Sequence, residues 1–257
     1  MQLFDSHCHF NDEKYDNDRD KIIQEAFESG VTKMTCAGYN IESSIQAIEL
    51  SKQYDYIYAT SGISPNDMDD ADKLEELEKL LSTEKVVAVG EIGLDYYWNK
   101  DNKEEQKQLF IKQIELANKY NLPIQIHTRE ASIDTISILK EYTVYKKGIF
   151  HCCPLNQELI KEAVKLGFYV SFSGNVTFKN AKAAPCIDLV PMNQLLIETD
   201  SPYLCPEPHR GERNNPIFVK YVAEKISEIK KISVDEIAQQ TFDNACRIFN
   251  IKWVKKS

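Results

Sequence analysis

Short runs of apolar and β-branched residues alternate along the chain with amphipathic stretches whose apolar positions recur at helical spacing. The first run, residues 3–8, predicts a strand. A helix over 18–29 stops at Gly30, and strands over 31–37 and 57–61 flank a helix over 41–53. The helix over 70–82 carries Leu74, Leu77, Leu80 and Leu81 as a core-facing stripe. Strands over 86–92, 123–127, 148–151 and 168–172 then alternate with helices over 102–120, 131–142 and 156–166. A short irregular helix at 179–189 precedes a strand over 195–199 and a helix over 216–230. Ser233-Val-Asp-Glu236 opens a last helix with a capping box.

Eight strand–helix units followed by one further helix predict parallel pairing with right-handed crossovers. The expected fold is therefore an α/β (β/α)8 TIM barrel with an additional C-terminal helix. No low-complexity break divides residues 1–257, and their number suits one closed barrel, so a single domain is expected. An open doubly wound sheet is the alternative. It usually carries a glycine-rich phosphate loop after the first strand, where this chain has Ser6-His-Cys-His9.

Composition narrows the function classes. With 42% hydrophobic and 28% charged residues the chain reads as globular, and nine Gly and nine Pro exclude collagen-like or linker-dominated architectures. The formal charge, 31 − 40 = −9, argues against a protein that coats long nucleic acid by bulk electrostatics. Seven scattered cysteines without a CxxC pair argue for reduced thiols rather than a disulfide framework or a cysteine zinc finger. No apolar run approaches the ~20 residues of a bilayer span, and residues 3–7 lack a basic region or signal core. The expectation is a cytoplasmic protein without a membrane or obligate protein partner.

The chemistry gathers at strand ends. His7 and His9 are two apart, so both fall on one strand face and can converge on one ion. Four of the five histidines, His7, His9, His127 and His151, end the first, fifth and sixth strands, and the carboxylates Glu91 and Asp200 follow the fourth and eighth. In a parallel barrel these ends share one rim. Four imidazoles and two carboxylates suffice for two metal ions if one carboxylate bridges. Read singly, Glu91 and Asp200 suit helix caps or ion pairs, which leaves the gathering of histidines unexplained.

In order along the chain, Asp5-Ser-His-Cys-His9, Gly90-Glu-Ile-Gly-Leu-Asp-Tyr96, His127-Thr-Arg-Glu-Ala131, Phe150-His-Cys152 and Glu198-Thr-Asp-Ser-Pro-Tyr203 resemble the TatD family of metal-dependent deoxyribonucleases. The resemblance spans nearly the whole chain. It implies an amidohydrolase-type barrel and phosphodiester hydrolysis supported by divalent cations. It also implies that His7, His9 and Asp200 hold one ion and His127 and His151 the other, with Glu91 shared. Two departures stand out. Ser64 in Gly62-Ile-Ser-Pro65 takes the place of a family histidine that faces the substrate, and Cys152-Cys-Pro154 alters the loop beside His151.

Phosphate requires cations, and Arg129, two residues from His127, is the first candidate. The resemblance adds Arg210 and Arg213. Lys179 reads equally as a phosphate contact and as a solvated side chain, with Phe178 packing its loop. Tyr96, Tyr97, Trp98 and Tyr203 lie beside the rim motifs and are candidates for base stacking or for rim packing. The expected mechanism is in-line displacement at phosphorus, with Asp200 and Glu91 as metal-binding catalytic groups, Asp200 also accepting the water's proton, and Arg129 neutralising charge in the transition state. Imidazole ligands favour zinc, manganese or iron, whereas the resemblance implies support by magnesium. The expected substrate is DNA, as short oligonucleotides or single-stranded or frayed ends attacked from the 3′ side. Hydrolysis of a cyclic amide, ester or phosphotriester is the alternative within the enzyme class, and a non-catalytic metal-stabilised scaffold the alternative outside it.

Overall fold

A computed structural model of the protein describes residues 1–252; the last five residues of the expected domain lie outside the described residues. Eight strands form one sheet in the order of the chain: β1 (Leu3–Cys8), β2 (Val31–Ala37), β3 (Ile57–Ser61), β4 (Val86–Asp95), β5 (Ile124–Arg129), β6 (Gly148–Phe150), β7 (Tyr169–Phe172) and β8 (Leu195–Ile197). All successive pairs are parallel. The sheet curls into a nearly closed barrel. At the seam the Asp200 amide donates to the His7 carbonyl at 2.9 Å and the His9 amide to the Ser201 carbonyl at 2.7 Å. The expected TIM barrel is therefore the observed fold.

Helices α1 (Arg19–Glu28), α2 (Ile41–Gln53), α3 (Leu74–Leu80), α4 (Lys103–Tyr120), α5 (Ser132–Glu141), α6 (Gln157–Lys165), α7 (Ala184–Asp188) and α8 (Val219–Lys230) follow the strands in turn, and α9 (Val234–Ile248) is additional. Local chemistry sets their ends. Asn40 caps α2 by accepting from the Ser43 amide, Ser233 caps α9 by accepting from the Glu236 amide, and Gly30, at φ +100°, ends the turn after α1. Helices α3 and α7 are shorter than expected. Lys73 lies outside helical geometry and a separate 3₁₀ turn, Met68–Asp70, precedes α3. In α7, Pro185 sits in the first turn, where its missing N–H disturbs nothing, and the chain before it stays irregular.

The barrel interior is layered. Ser6, Thr60, Gln125 and Ser171, from alternate strands, form a buried hydrogen-bonded layer: Ser6 Oγ lies 3.0 Å from Ser171 Oγ, and Gln125 Nε2 donates to the Ser6 carbonyl at 2.8 Å. Below it, α9 closes the N-terminal mouth. Phe4 packs between Phe242 and Phe249 with ring centroids 5.9 and 5.8 Å away, in a cluster with Ala88, Ile149 and Leu196. This apolar end is remote from the C-terminal rim, so chemistry at the rim rests on a packed floor.

Candidate metal centre

Strand β4 does more than the sequence pattern predicts, continuing through Asp95 rather than stopping at 92. Its register places Gly93 beside His127 and Asp95 beside Arg129. Glycine is required for that approach: a Cβ on Gly90 would stand 2.5 Å from Gln125 Cβ, and one on Gly93, at φ +140°, 2.0 Å from the His127 carbonyl oxygen. Strands β4 and β5 thus close up at the rim and bring Glu91 against His127.

All six sequence-predicted metal residues meet there. His7 Nε2 and His9 Nε2 are 3.0 Å apart, and Asp200 Oδ1 lies 3.5 Å from the first and 3.3 Å from the second. Opposite, His127 Nδ1 lies 3.3 Å from His151 Nε2. Glu91 stands between the two groups. Its Oε2 atom is 3.6 Å from His7 Nε2 and 3.9 Å from His9 Nε2, while its Oε1 atom is 3.0 Å from His127 Nδ1 and 3.4 Å from His151 Nε2. His7, His9, Glu91 and His151 are buried, and His127 and Asp200 are partly so.

Outer groups aim these rings. Asp95 Oδ2 lies 2.9 Å from His127 Nε2, Glu198 Oε1 lies 3.6 Å from His151 Nδ1, and the Ala37 carbonyl lies 3.3 Å from His9 Nδ1. Asp5 ties β1 to the seam by accepting from the Thr199 amide at 2.9 Å and hydroxyl at 2.5 Å. The sequence reading gave Asp5, Asp95 and Glu198 no role. Their nearness in sequence was the available signal, each lying two or four residues from a metal-type residue; strand alternation does not carry it, because Glu198 and Asp200 lie past β8 and register shifts interrupt β1 and β4.

The electrostatics suit cations. Burial pushes Glu91 up, but His151 and His127 outweigh it and hold the carboxyl well below its usual range. Burial likewise pushes His151 and His127 down, whereas Glu91 with Glu198 or Asp95 holds both above the ordinary imidazole value. His7 is driven well below that value by burial and by neighbouring His151 and His9. Its buried Nδ1 has no hydrogen-bond partner. Nitrogen and carboxylate donors crowded this closely, several within 4.8 Å of one another, fit divalent cations of the zinc or manganese kind.

A cavity of about 640 Å³ opens above the cluster, lined among others by Ser64, Asp67, Trp98, Arg129, Asn175 and Tyr203. Cys152 and Pro154 of the altered loop also line it. Ser64 is buried and accepts from the Asn66 amide at 3.2 Å. Arg129 is exposed, its guanidinium carbon 3.7 Å from the centre of the Tyr97 ring and 5.4 Å from that of Trp98. The Tyr203 hydroxyl donates to Asp12, and Tyr96 is buried with its hydroxyl on Asp134. Lys179 and Arg210 line a neighbouring cavity instead. Arg213 stands apart from both, locked to Asp18 by two bonds of 3.0 and 2.5 Å and donating to the Lys14 carbonyl.

A parallel barrel carrying imidazoles and carboxylates at its C-terminal rim defines a metal-dependent hydrolase of the TIM-barrel class. The family model "TatD related DNase" matches residues 4–250, and the chain belongs to that family. It is 45% identical over 253 residues to the metal-dependent hydrolase YabD of Bacillus subtilis (strain 168), covering 97% of this chain and 99% of that one. It is 31% identical to the 3′-5′ ssDNA/RNA exonuclease TatD of Erwinia tasmaniensis, covering 97% and 100%. Among solved structures, YJJV, a TatD homologue from Escherichia coli K12, superposes with a TM-score of 0.93 at 29% identity, covering 97% of this chain and 98% of that one. Among the described residues no helix is long and apolar enough to cross a membrane.

Proposed function

We propose that the protein is a two-ion phosphodiesterase that removes nucleotides from the 3′ end of single-stranded or frayed DNA. The observation that carries this reading is the position of Glu91, whose Oε2 faces His7 and His9 and whose Oε1 faces His127 and His151, the two pairs meeting where the His7 and His151 rings stack 4.0 Å apart. In this reading His7, His9 and Asp200 would hold one ion, His127 and His151 would hold the other, and Glu91 would serve both. Such ions, when bound, lower the pKa of a water and offset charge on the phosphate.

The chain's own groups do the rest. Contacts to Asp95 and the Ala37 carbonyl orient the His127 and His9 rings and so pre-aim their ligand nitrogens, while Glu198, 3.6 Å from His151 Nδ1, supplies a neighbouring negative charge. Asp200, half-buried at the cavity floor, takes a proton from the attacking water. The water's oxygen bonds to phosphorus, the bond from phosphorus to O3′ breaks, O3′ takes a proton from bulk water, and Asp200 returns its proton to solvent. Arg129 has no carboxylate within ion-pair distance among the described residues, so its guanidinium remains available for the charge that grows on the phosphate.

The resemblance to an exonuclease of single strands supports this substrate class, as does the acidity of the chain, which disfavours grip on long duplex. Incubation of a 5′-labelled linear single strand with metal-loaded protein tests it. The expected result is a ladder shortening from the 3′ end that chelator abolishes; comparable cleavage of closed circular duplex would overturn it.

A further inference from the structure

Three cavities lie side by side on the C-terminal rim, and shared residues join them. The central one shares Asn175 with a cavity of about 460 Å³ on one side, and Asn66 and Trp98 with one of about 530 Å³ on the other. The central cavity, which holds the candidate metal residues His9, Glu91, His127, His151 and Asp200 in its lining, thus borders both of the others.

The two flanking cavities, or arms, differ in charge. In the first, Arg210 lies 3.7 Å from the centre of the Phe178 ring, and Lys179 lines the same wall. Among the described residues neither cation has a carboxylate within ion-pair distance, although Glu207 also lines that cavity. Arg213, only three residues on, is by contrast locked to Asp18. The second arm presents Trp98, 68% exposed, together with Asn66, Asn99 and Asn102. Its charged lining residue is Asp69; on the adjoining central wall stand Asp67 and Arg129, whose guanidinium lies 5.4 Å from the centre of the Trp98 ring, on the side of the candidate metal residues where the scissile phosphate would sit.

We infer that the arms take opposite sides of the scissile phosphate: the Arg210 arm holds the phosphodiester chain that stays behind, and the Trp98 arm takes the departing terminal nucleoside. A retained strand brings a negative charge with every nucleotide and so needs the arm with free cations, where Arg210 and Phe178 also offer stacking surface. A terminal nucleoside brings no further phosphate. Its base stacks on Trp98, and the amide ends that the asparagines do not spend among the described residues, the Asn66 oxygen and the Asn99 and Asn102 nitrogens, offer one acceptor and two donor groups to base and sugar. Asp67 and Asp69 oppose any phosphate that continues past the end. The site is therefore open to strand ends and closed to continuous strands, which makes the enzyme exonucleolytic by charge rather than by a physical block. This inference rests on the phosphodiesterase reading above.

Its test compares kcat/KM for a thymidine dinucleotide and a thymidine decanucleotide. Wild type is expected to prefer the decanucleotide. Arg210→Ala and Lys179→Ala lose about tenfold more rate on the decanucleotide than on the dinucleotide, whereas Trp98→Ala lowers both by a common factor. Equal losses on both substrates for Arg210→Ala, or cleavage of circular single strands at the linear rate, would overturn it. Binding provides a second readout that turnover does not enter. Anisotropy of a labelled decanucleotide with a cleavage-resistant 3′ linkage, measured against salt on metal-loaded protein, loses about 0.7 from its logarithmic slope in Arg210→Ala. An unchanged slope counts against the cationic arm. If wild type cleaves neither substrate, the phosphodiesterase reading fails, and the slope still decides the arm. Circular dichroism checks that these exposed substitutions leave the fold intact.

Discussion

Asp95 Oδ2 lies 2.9 Å from Nε2 of His127, which leaves Nδ1 as the nitrogen that faces Glu91. A single hydrogen bond thus selects which ring nitrogen carries a proton and which is free for a ligand. Burial pushes Asp95 up, but His127 beside it holds the carboxyl down to about 2, so it is ionised at any pH the enzyme meets. Replacing Asp95 with Asn keeps the size and removes the charge. Metal affinity should fall about 10–100-fold. Calorimetric titration with zinc or manganese checks it, and an unchanged affinity would mean that Asp95 does not orient the ring.

Metal uptake should depend on pH with a definite sign. His127 and His151 are held above the ordinary imidazole value near 6.5, so each keeps its proton to a higher pH than a free ring does. Cations must displace those protons. Affinity is therefore complete at high pH and declines as pH falls, with the decline beginning above 6.5. With two protons displaced, the apparent binding constant drops by up to about a hundredfold per pH unit. Titrations in two buffers of different ionisation enthalpy count the released protons, and binding that is flat between neutral and mildly acid pH would contradict the assignment.

Stability at the far end of the barrel should be separable from the site. Phe4 is 1% exposed and packs between Phe242 and Phe249. Phe4→Ala leaves a cavity and should cost about 3–5 kcal/mol in denaturant unfolding. The protein that remains folded should bind metal as wild type does. A cost below about 1 kcal/mol would show that the cluster rearranges to fill the space.

Much of this architecture was legible because period-two and helical patterns alternate without interruption. His7 near the end of β1 and His9 just past it, two residues apart in sequence, bring their Nε2 atoms to 3.0 Å. Glu91, inside β4, and Asp200, just past β8, were legible by position, since both strands end on the same rim. What the pattern did not carry was pairing over distance. Arg213, a phosphate-contact candidate by resemblance, is engaged by Asp18, 195 residues away, a pairing that no local pattern announces. Arg210 and Lys179, candidates for substrate contact, line a cavity that borders the one above the metal residues, a placement set by the tertiary course of their loops and not by local pattern. The extension of β4 to Asp95 was hidden by Gly93, a residue that ordinarily weakens a strand and here permits close approach to β5.

The central claim is that Glu91 joins two ion sites, and the metal content of freshly purified protein tests it most directly. Elemental analysis should give two divalent ions per chain in wild type. Glu91→Gln keeps the side-chain shape but loses the charge that both histidine pairs face, and should retain one ion or none while metal-stimulated cleavage falls at least about a hundredfold. Two ions and full activity in Glu91→Gln would contradict the account.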